Sequence, residues 1–198
     1  MKRGIIVLTV ILMMTLTACG KESHGDYSRI YESYSNIKNY TADIEVTVLA
    51  GENISDYKAK QYYMAPDLYR VDYLSEEMED ISCVLSGKTL KFRSPDGKVT
   101  DFDGYIPGEK YYIFITDFME RYCKSENAKS AASRGRTVLE LAETGDNPQR
   151  AAMKLWINSK TLLPEKMITY NKDGEEAIVV KYSNFKMNEK MSKKIFEL

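Results

Sequence analysis

Three cysteines, one histidine and 29 carboxylates are the side chains here that could carry chemistry. The histidine, His24, sits in a short polar stretch from Gly20 to Gly25, five residues from Cys19. With that histidine so near the start of the chain, neither a Ser-His-Asp set nor a Cys-His pair can be assembled around a core site. Zinc would have to draw on Cys83, Cys123 and carboxylates, which show none of the close spacings of zinc ligands. There is no glycine-rich phosphate loop, neither G-x-G-x-x-G nor G-x-x-x-x-G-K followed by Ser or Thr. The chemistry left open is hydrolysis by two carboxylates, as in glycosidases that cut wall polymer. The densest acidic run, Glu76, Glu77, Glu79 and Asp80, reads instead as a solvated loop. The expectation is a chain with no catalytic residue, no metal ligand and no cofactor, and so not an enzyme.

Cys19 stands in a different context. Lys2 and Arg3 precede an apolar run from Ile5 to Met14 that is broken only by Thr9. This has the charged start and short apolar stretch of an export signal, and falls short of the roughly 18–20 residues of a membrane span. It ends in Leu16-Thr17-Ala18-Cys19-Gly20. Small residues before a cysteine, directly after such a run, resemble the bacterial lipobox. In that motif the thiol takes a diacylglycerol and the peptide is cut just before it. The expected cut falls between Ala18 and Cys19. An ordinary or uncleaved signal with a chance cysteine is the other reading. Two acyl chains make a stable anchor, because each buried methylene contributes about 0.8 kcal/mol. The expected organisation is a signal peptide over 1–18, a lipidated tether over 19–25 and a single domain over 26–198. The expected place is the outer face of the cytoplasmic membrane. Outside the membrane Cys83 and Cys123 could pair, or could stay as small buried hydrophobes.

Charge and composition narrow the partners. The formal net charge is −1, and becomes −3 once Lys2 and Arg3 leave with the signal. Such a balance argues against nucleic acid, which calls for a clustered basic patch. Apolar residues make up 43 %, enough for a packed core. Tyrosine is over-used, with 15 residues against 6 phenylalanines.

The elements that would position any site follow from hydrophobic period. Behind a potential cap at Asp26, Tyr27, Ile30, Tyr31, Tyr34 and Ile37 fall on one face of a helix, with Arg29, Glu32, Asn36 and Lys38 opposite. After Asn39 the period becomes two, as in Ile44, Val46 and Val48. Strands are expected near 57–64, 68–74, 81–85, 89–92 and 98–102, joined by turns such as Pro95-Asp96-Gly97. Ile115, Phe118, Met119 and Tyr122 return to helical spacing, which predicts a helix over about 110–124. Tyr111, Tyr112, Ile113 and Phe114 make its start unusually apolar: either a plug on the sheet or an exposed contact surface. Ser125 to Arg136 reads as a loop, and four more strands follow near 137–141, 153–158, 163–171 and 176–185. The count is about ten strands and two helices.

In this order the elements resemble the LolA/LolB lipoprotein-carrier family. One stretch that carries the likeness is Tyr62-Tyr63-Met64-Ala65-Pro66-Asp67-Leu68-Tyr69-Arg70, similar to that family's aromatic–Pro–aromatic–Arg hairpin. The other is Lys154-Leu155-Trp156-Ile157-Asn158 with Leu162-Leu163-Pro164, running on to Tyr182-Ser183-Asn184-Phe185-Lys186. The resemblance implies a mainly β (α+β) fold: a curved antiparallel sheet, an incomplete barrel, with two helices on its concave side. In carriers that side holds acyl chains in a large apolar cavity; here its lining candidates are tyrosines and the strands carry many charges. The short, lipidated, tyrosine-rich build resembles the GerS-like germination lipoproteins of clostridia. That likeness implies a non-catalytic partner of a CwlD-type zinc N-acetylmuramoyl-L-alanine amidase, supporting muramic-δ-lactam formation in spore cortex and hence germination. It also implies a forespore membrane facing the cortex. A lipid or lipoprotein carrier or sensor is the alternative, and exposed strand edges would allow a homodimer by strand exchange.

Overall fold

The computed structural model describes residues 24–75, 80–104, 113–142 and 147–198. The signal segment with Ala18 and Cys19, the acidic residues Glu76, Glu77 and Glu79, Tyr111 and Tyr112, and the Gly145-Asp146 part of an expected turn lie outside them.

The described residues form strands β1 (Asn39–Ala50), β2 (Asn53–Met64), β3 (Leu68–Tyr73), β4 (Ser82–Ser86), β5 (Thr89–Arg93) and β6 (Val99–Phe102), then β7 (Lys129–Ser133), β8 (Arg136–Ala142), β9 (Ala152–Asn158), β10 (Pro164–Tyr170) and β11 (Glu176–Met187). Helix α1 spans His24–Ser35, helix α2 Ile115–Lys124, and a 3-10 turn Lys193–Phe196. One open antiparallel sheet holds all eleven strands, in the order β6-β5-β4-β3-β2-β1-β11-β10-β9-β8-β7. Two meanders therefore run outward from a central seam, where β1 pairs with β11. This is the expected mainly β architecture with two helices.

Strict alternation makes one sheet face apolar. On β1, Tyr40, Ala42, Ile44 and Val46 are buried while Asp43, Glu45 and Thr47 point the other way. β9 repeats this with Met153, Leu155 and Ile157. A one-residue slip would expose each row, so the register is strongly set. Both helices cover this inner face. Ile30 and Tyr34 from α1, Ile37 from the connection just after it rather than from the expected helix face, and Ile115, Phe118, Met119 and Tyr122 from α2 enter one core with the strands. Each large side chain so buried contributes about 1.5–3 kcal/mol. At the expected turn before β6, Gly97 has φ +80°, and its N–H donates to the Ser94 carbonyl at 2.9 Å. Few other residues adopt that conformation without strain.

Three elements differ from the sequence expectation. α1 begins at His24, ahead of the Asp26 cap. The described part of the mid-chain helix starts at Ile115; Phe114 before it is extended and buried. β7 lies inside the stretch expected to be a loop. Its residues, Lys-Ser-Ala-Ala-Ser, are all exposed and owe their strand to pairing with β8, not to an apolar face.

Candidate partner-binding surfaces

The inner face packs aromatic rings among a majority of aliphatic side chains, and several of the buried tyrosine hydroxyls have hydrogen-bond partners. Tyr182 donates to the Ile113 carbonyl at 2.8 Å, Tyr34 to Leu162 at 3.0 Å, and Tyr122 to Lys129 at 2.9 Å. Tyr40 donates to Gln61 Oε1 at 3.4 Å, and the Gln61 amide donates to Ile113 O at 2.9 Å. Gln61, Tyr40 and Tyr182 thus tie β1, β2 and β11 to the backbone that leads into α2. Burial pushes the Tyr40 and Tyr182 phenols far up, and Tyr122 up to about 12, because a phenolate is poorly solvated there. Stacking adds order: Tyr40 lies 4.8 Å from Phe185, and Tyr69 meets Phe114 edge-on at 5.0 Å.

A groove of about 310 Å³ remains between α1 and α2, edged by Tyr31, Tyr34, Tyr63, Tyr69, Thr116 and Glu120. It is at the small end of ligand pockets, and mixes apolar Ile37, Pro66 and Met119 with hydroxyls and a carboxylate. Tyr31, expected on the buried helix face, is 47 % exposed at this rim.

The sheet ends in two different edges. On β6, Val99 and Phe102 are exposed, and Lys91 pairs with Asp101 at 3.3 Å across from β5. β7 offers Lys129 and the small residues Ser130 to Ser133. Among the described residues no strand pairs beyond either. Unpaired N–H and C=O groups along such edges can template another strand.

The outer face is polar and lined with ion pairs, among them Lys58–Glu45 at 3.6 Å and Lys154–Glu140 at 2.9 Å. The chain's last turn closes over part of it. Arg70 on β3 pairs with Asp72 at 2.7 Å and donates to the Ile195 carbonyl, while Phe196 is buried. Sequence reading placed Ile195 and Phe196 only in a tail; the outward Arg70 was the available signal for their dock.

Carboxylate chemistry gains no support. Among the described residues, the two carboxyls with perturbed acidity, Asp96 and Glu165, are both held below the usual range by hydrogen bonds, from Ser94 and Arg136 respectively. A general acid at neutral pH requires the opposite shift. Among the described residues no group of three or more His, Cys, Asp or Glu could hold a metal ion. Cys83, half-buried on β4, and exposed Cys123 at the end of α2 are not joined in a disulfide. Burial raises the Cys123 thiol, which makes it a weaker nucleophile. Among the described residues no helix is long and apolar enough to cross a membrane.

Comparison with known proteins places these surfaces in context. A family model described as sporulation protein YdcC-like matches residues 1–196. No curated protein matches the chain in sequence. Among solved structures, the chain is similar to the GerS lipoprotein in the structure of the Clostridioides difficile CwlD amidase in complex with GerS. The identity is 27 %, over 81 % of this chain and 92 % of that one, with a TM-score of 0.54. It is also similar to an uncharacterized conserved protein from Thermus thermophilus, with 13 % identity, coverage of 86 % and 90 %, and a TM-score of 0.57. A LolA superfamily protein from Nitrosomonas europaea is similar at 13 % identity, coverage of 86 % and 97 %, and a TM-score of 0.46.

Proposed function

The chain belongs to the YdcC-like family of sporulation proteins, and on that premise we propose that it is a non-catalytic, membrane-anchored lipoprotein that binds a cell-wall N-acetylmuramoyl-L-alanine amidase and favours its active state. The observation that carries this reading is the 27 % identity, over 81 % of the chain, to GerS as solved with the CwlD amidase. On this reading the amidase holds the zinc and the reacting groups, and this chain supplies a rigid docking surface. A binding partner activates only if it prefers one state of the enzyme over another. A large sheet locked by its packed core can present such a preference without itself changing shape.

Lipidation at Cys19 would confine the pair to the outer face of the membrane, next to its polymer. In a sporulating cell the product would be muramic-δ-lactam in the cortex. The apolar β6 edge suits pairing with a second copy of this chain, giving a homodimer that displays two docking surfaces. Carriage of lipid or lipoprotein is the second reading. The helix-covered inner face, where a groove of about 310 Å³ lies between α1 and α2, favours the first.

The test is an amidase assay on peptidoglycan with the enzyme alone and with the purified chain added. Activity is expected to climb until the two proteins are equimolar. An amidase equally active at every ratio would overturn the reading.

A further inference from the structure

The chain's single tryptophan, Trp156, is left out of the core. It stands half-buried on the outer face of β9, between Leu155 and Ile157, which point inward and are fully buried. Strand register sets Trp156 opposite Lys166 on β10, and Lys166 opposite Lys181 on β11. The Lys166 ammonium lies 4.7 Å from the indole centroid. The row continues through Glu45 on β1 to Lys58 on β2.

Most cations near this row are matched. Lys58 pairs with Glu45, Lys154 with Glu140, and Arg136 with Glu165. Lys166 and Lys181 form no ion pair among the described residues and stand directly opposite each other, while Glu45, on the other side of Lys181, pairs with Lys58. Like charges in that position destabilise a sheet. Beside Lys181 opens a groove of about 290 Å³, lined by Glu45, Thr47, Asp56, Lys58 and Ser75. It combines hydroxyl, carboxylate and ammonium groups within one small depression.

We propose that this face binds an anionic glycan, a chain of sugar rings bearing carboxylates. One ring lies against Trp156, its carboxylate between Lys166 and Lys181, and the next ring places its hydroxyls in the groove. The chemistry matches part by part. Indole offers a flat apolar surface to the C–H face of a sugar. Two ammonium groups form charge-assisted hydrogen bonds with a carboxylate and relieve their own repulsion. The groove supplies acceptors for sugar hydroxyls through Glu45 and Asp56. An acidic peptide would meet the same lysines but would set its further carboxylates against Glu45 and Asp56. A carboxylate ligand would replace the cation–π contact of Lys166 with a charge-assisted hydrogen bond, so the contact can give way to it.

The site involves this chain alone and does not depend on an amidase, so its test stands apart from that reading. Because Trp156 is the sole tryptophan, its emission reports directly on the site. The detergent-solubilised full chain is titrated with peptide-free glycan oligomers of alternating N-acetylglucosamine and N-acetylmuramic acid, with uncharged chitotetraose and with polyglutamate. The carboxylated glycan is expected to give a saturable change in emission. Chitotetraose, and the Lys166→Gln/Lys181→Gln double variant with the carboxylated glycan, are expected to bind at least about tenfold more weakly. Both lysines face outward, so the double variant keeps its fold, as circular dichroism would verify. No saturable change with the carboxylated glycan, equal binding of polyglutamate, or unaltered affinity in the double variant would each overturn the proposal.

Discussion

The hydrogen bonds that converge on the Ile113 carbonyl join the sheet to the start of α2, and their removal has a calculable cost. Gln61, fully buried, donates to that carbonyl at 2.9 Å and accepts from Tyr40. Tyr182 donates to the same carbonyl at 2.8 Å. Tyr182→Phe removes one of two donors and keeps the ring, so a loss of about 0.5–1.5 kcal/mol is expected. Gln61→Leu keeps most of the volume but leaves the buried Tyr40 hydroxyl without its acceptor, for about 1–3 kcal/mol. In either single variant the carbonyl keeps a donor. In the double variant it keeps neither, so the combined loss should exceed the sum of the two by about 1 kcal/mol. Urea denaturation measures all three. With a slope of about 1–3 kcal/mol per molar for a domain, a 2 kcal/mol loss moves the midpoint by roughly 1 M. Additivity within about 0.5 kcal/mol would refute the shared carbonyl as the joint between sheet and helix.

Three further outcomes are expected. Buried phenols such as Tyr40, Tyr182 and Tyr122 hold their protons more tightly folded than unfolded, so their contribution is complete below about pH 10 and lost as pH rises. Denaturant midpoints should therefore be set by other groups up to about pH 10 and fall steeply toward the Tyr122 value of about 12; a midpoint still level there would contradict the burial of these hydroxyls. Cys19→Ala should release the protein from the membrane fraction and abolish the mass of the lipid, whereas a variant still membrane-bound and unaltered in mass would rule out lipidation. Phe102→Lys, at a side chain 49 % exposed on β6, should leave the midpoint within about 0.5 kcal/mol and weaken self-association in light scattering. A dimer unaffected by it would move the contact away from this edge.

How much was legible from the sequence depended on whether apolar residues carried the element. The alternation of Ile44, Val46 and Val48 and the helical spacing of Ile115, Phe118 and Met119 reflect burial on one face, and those elements stand where the pattern put them. β7 was not legible, because Lys129–Ser133 bury nothing and exist as a strand only through the ladder with β8. Gln61 carried half a signal. It occupies an inward position between Ala59 and Tyr63, but only the fold brings Ile113 within reach of its amide. The same limit applies to the outer face. Trp156, Lys166 and Lys181 are ordinary members of three separate strands until register sets them in one row. Docking on edges and faces leaves no local motif, which is why a partner can be proposed only through likeness to a family.

The most direct test of the central claim is affinity capture of the tagged, full-length protein from sporulating cells after mild crosslinking, with bound proteins identified and quantified by mass spectrometry. The account predicts a zinc N-acetylmuramoyl-L-alanine amidase as the dominant partner, in stoichiometric amount. Recovery of acyl lipid or a spread of other lipoproteins, with no amidase, would contradict it and favour the carrier reading.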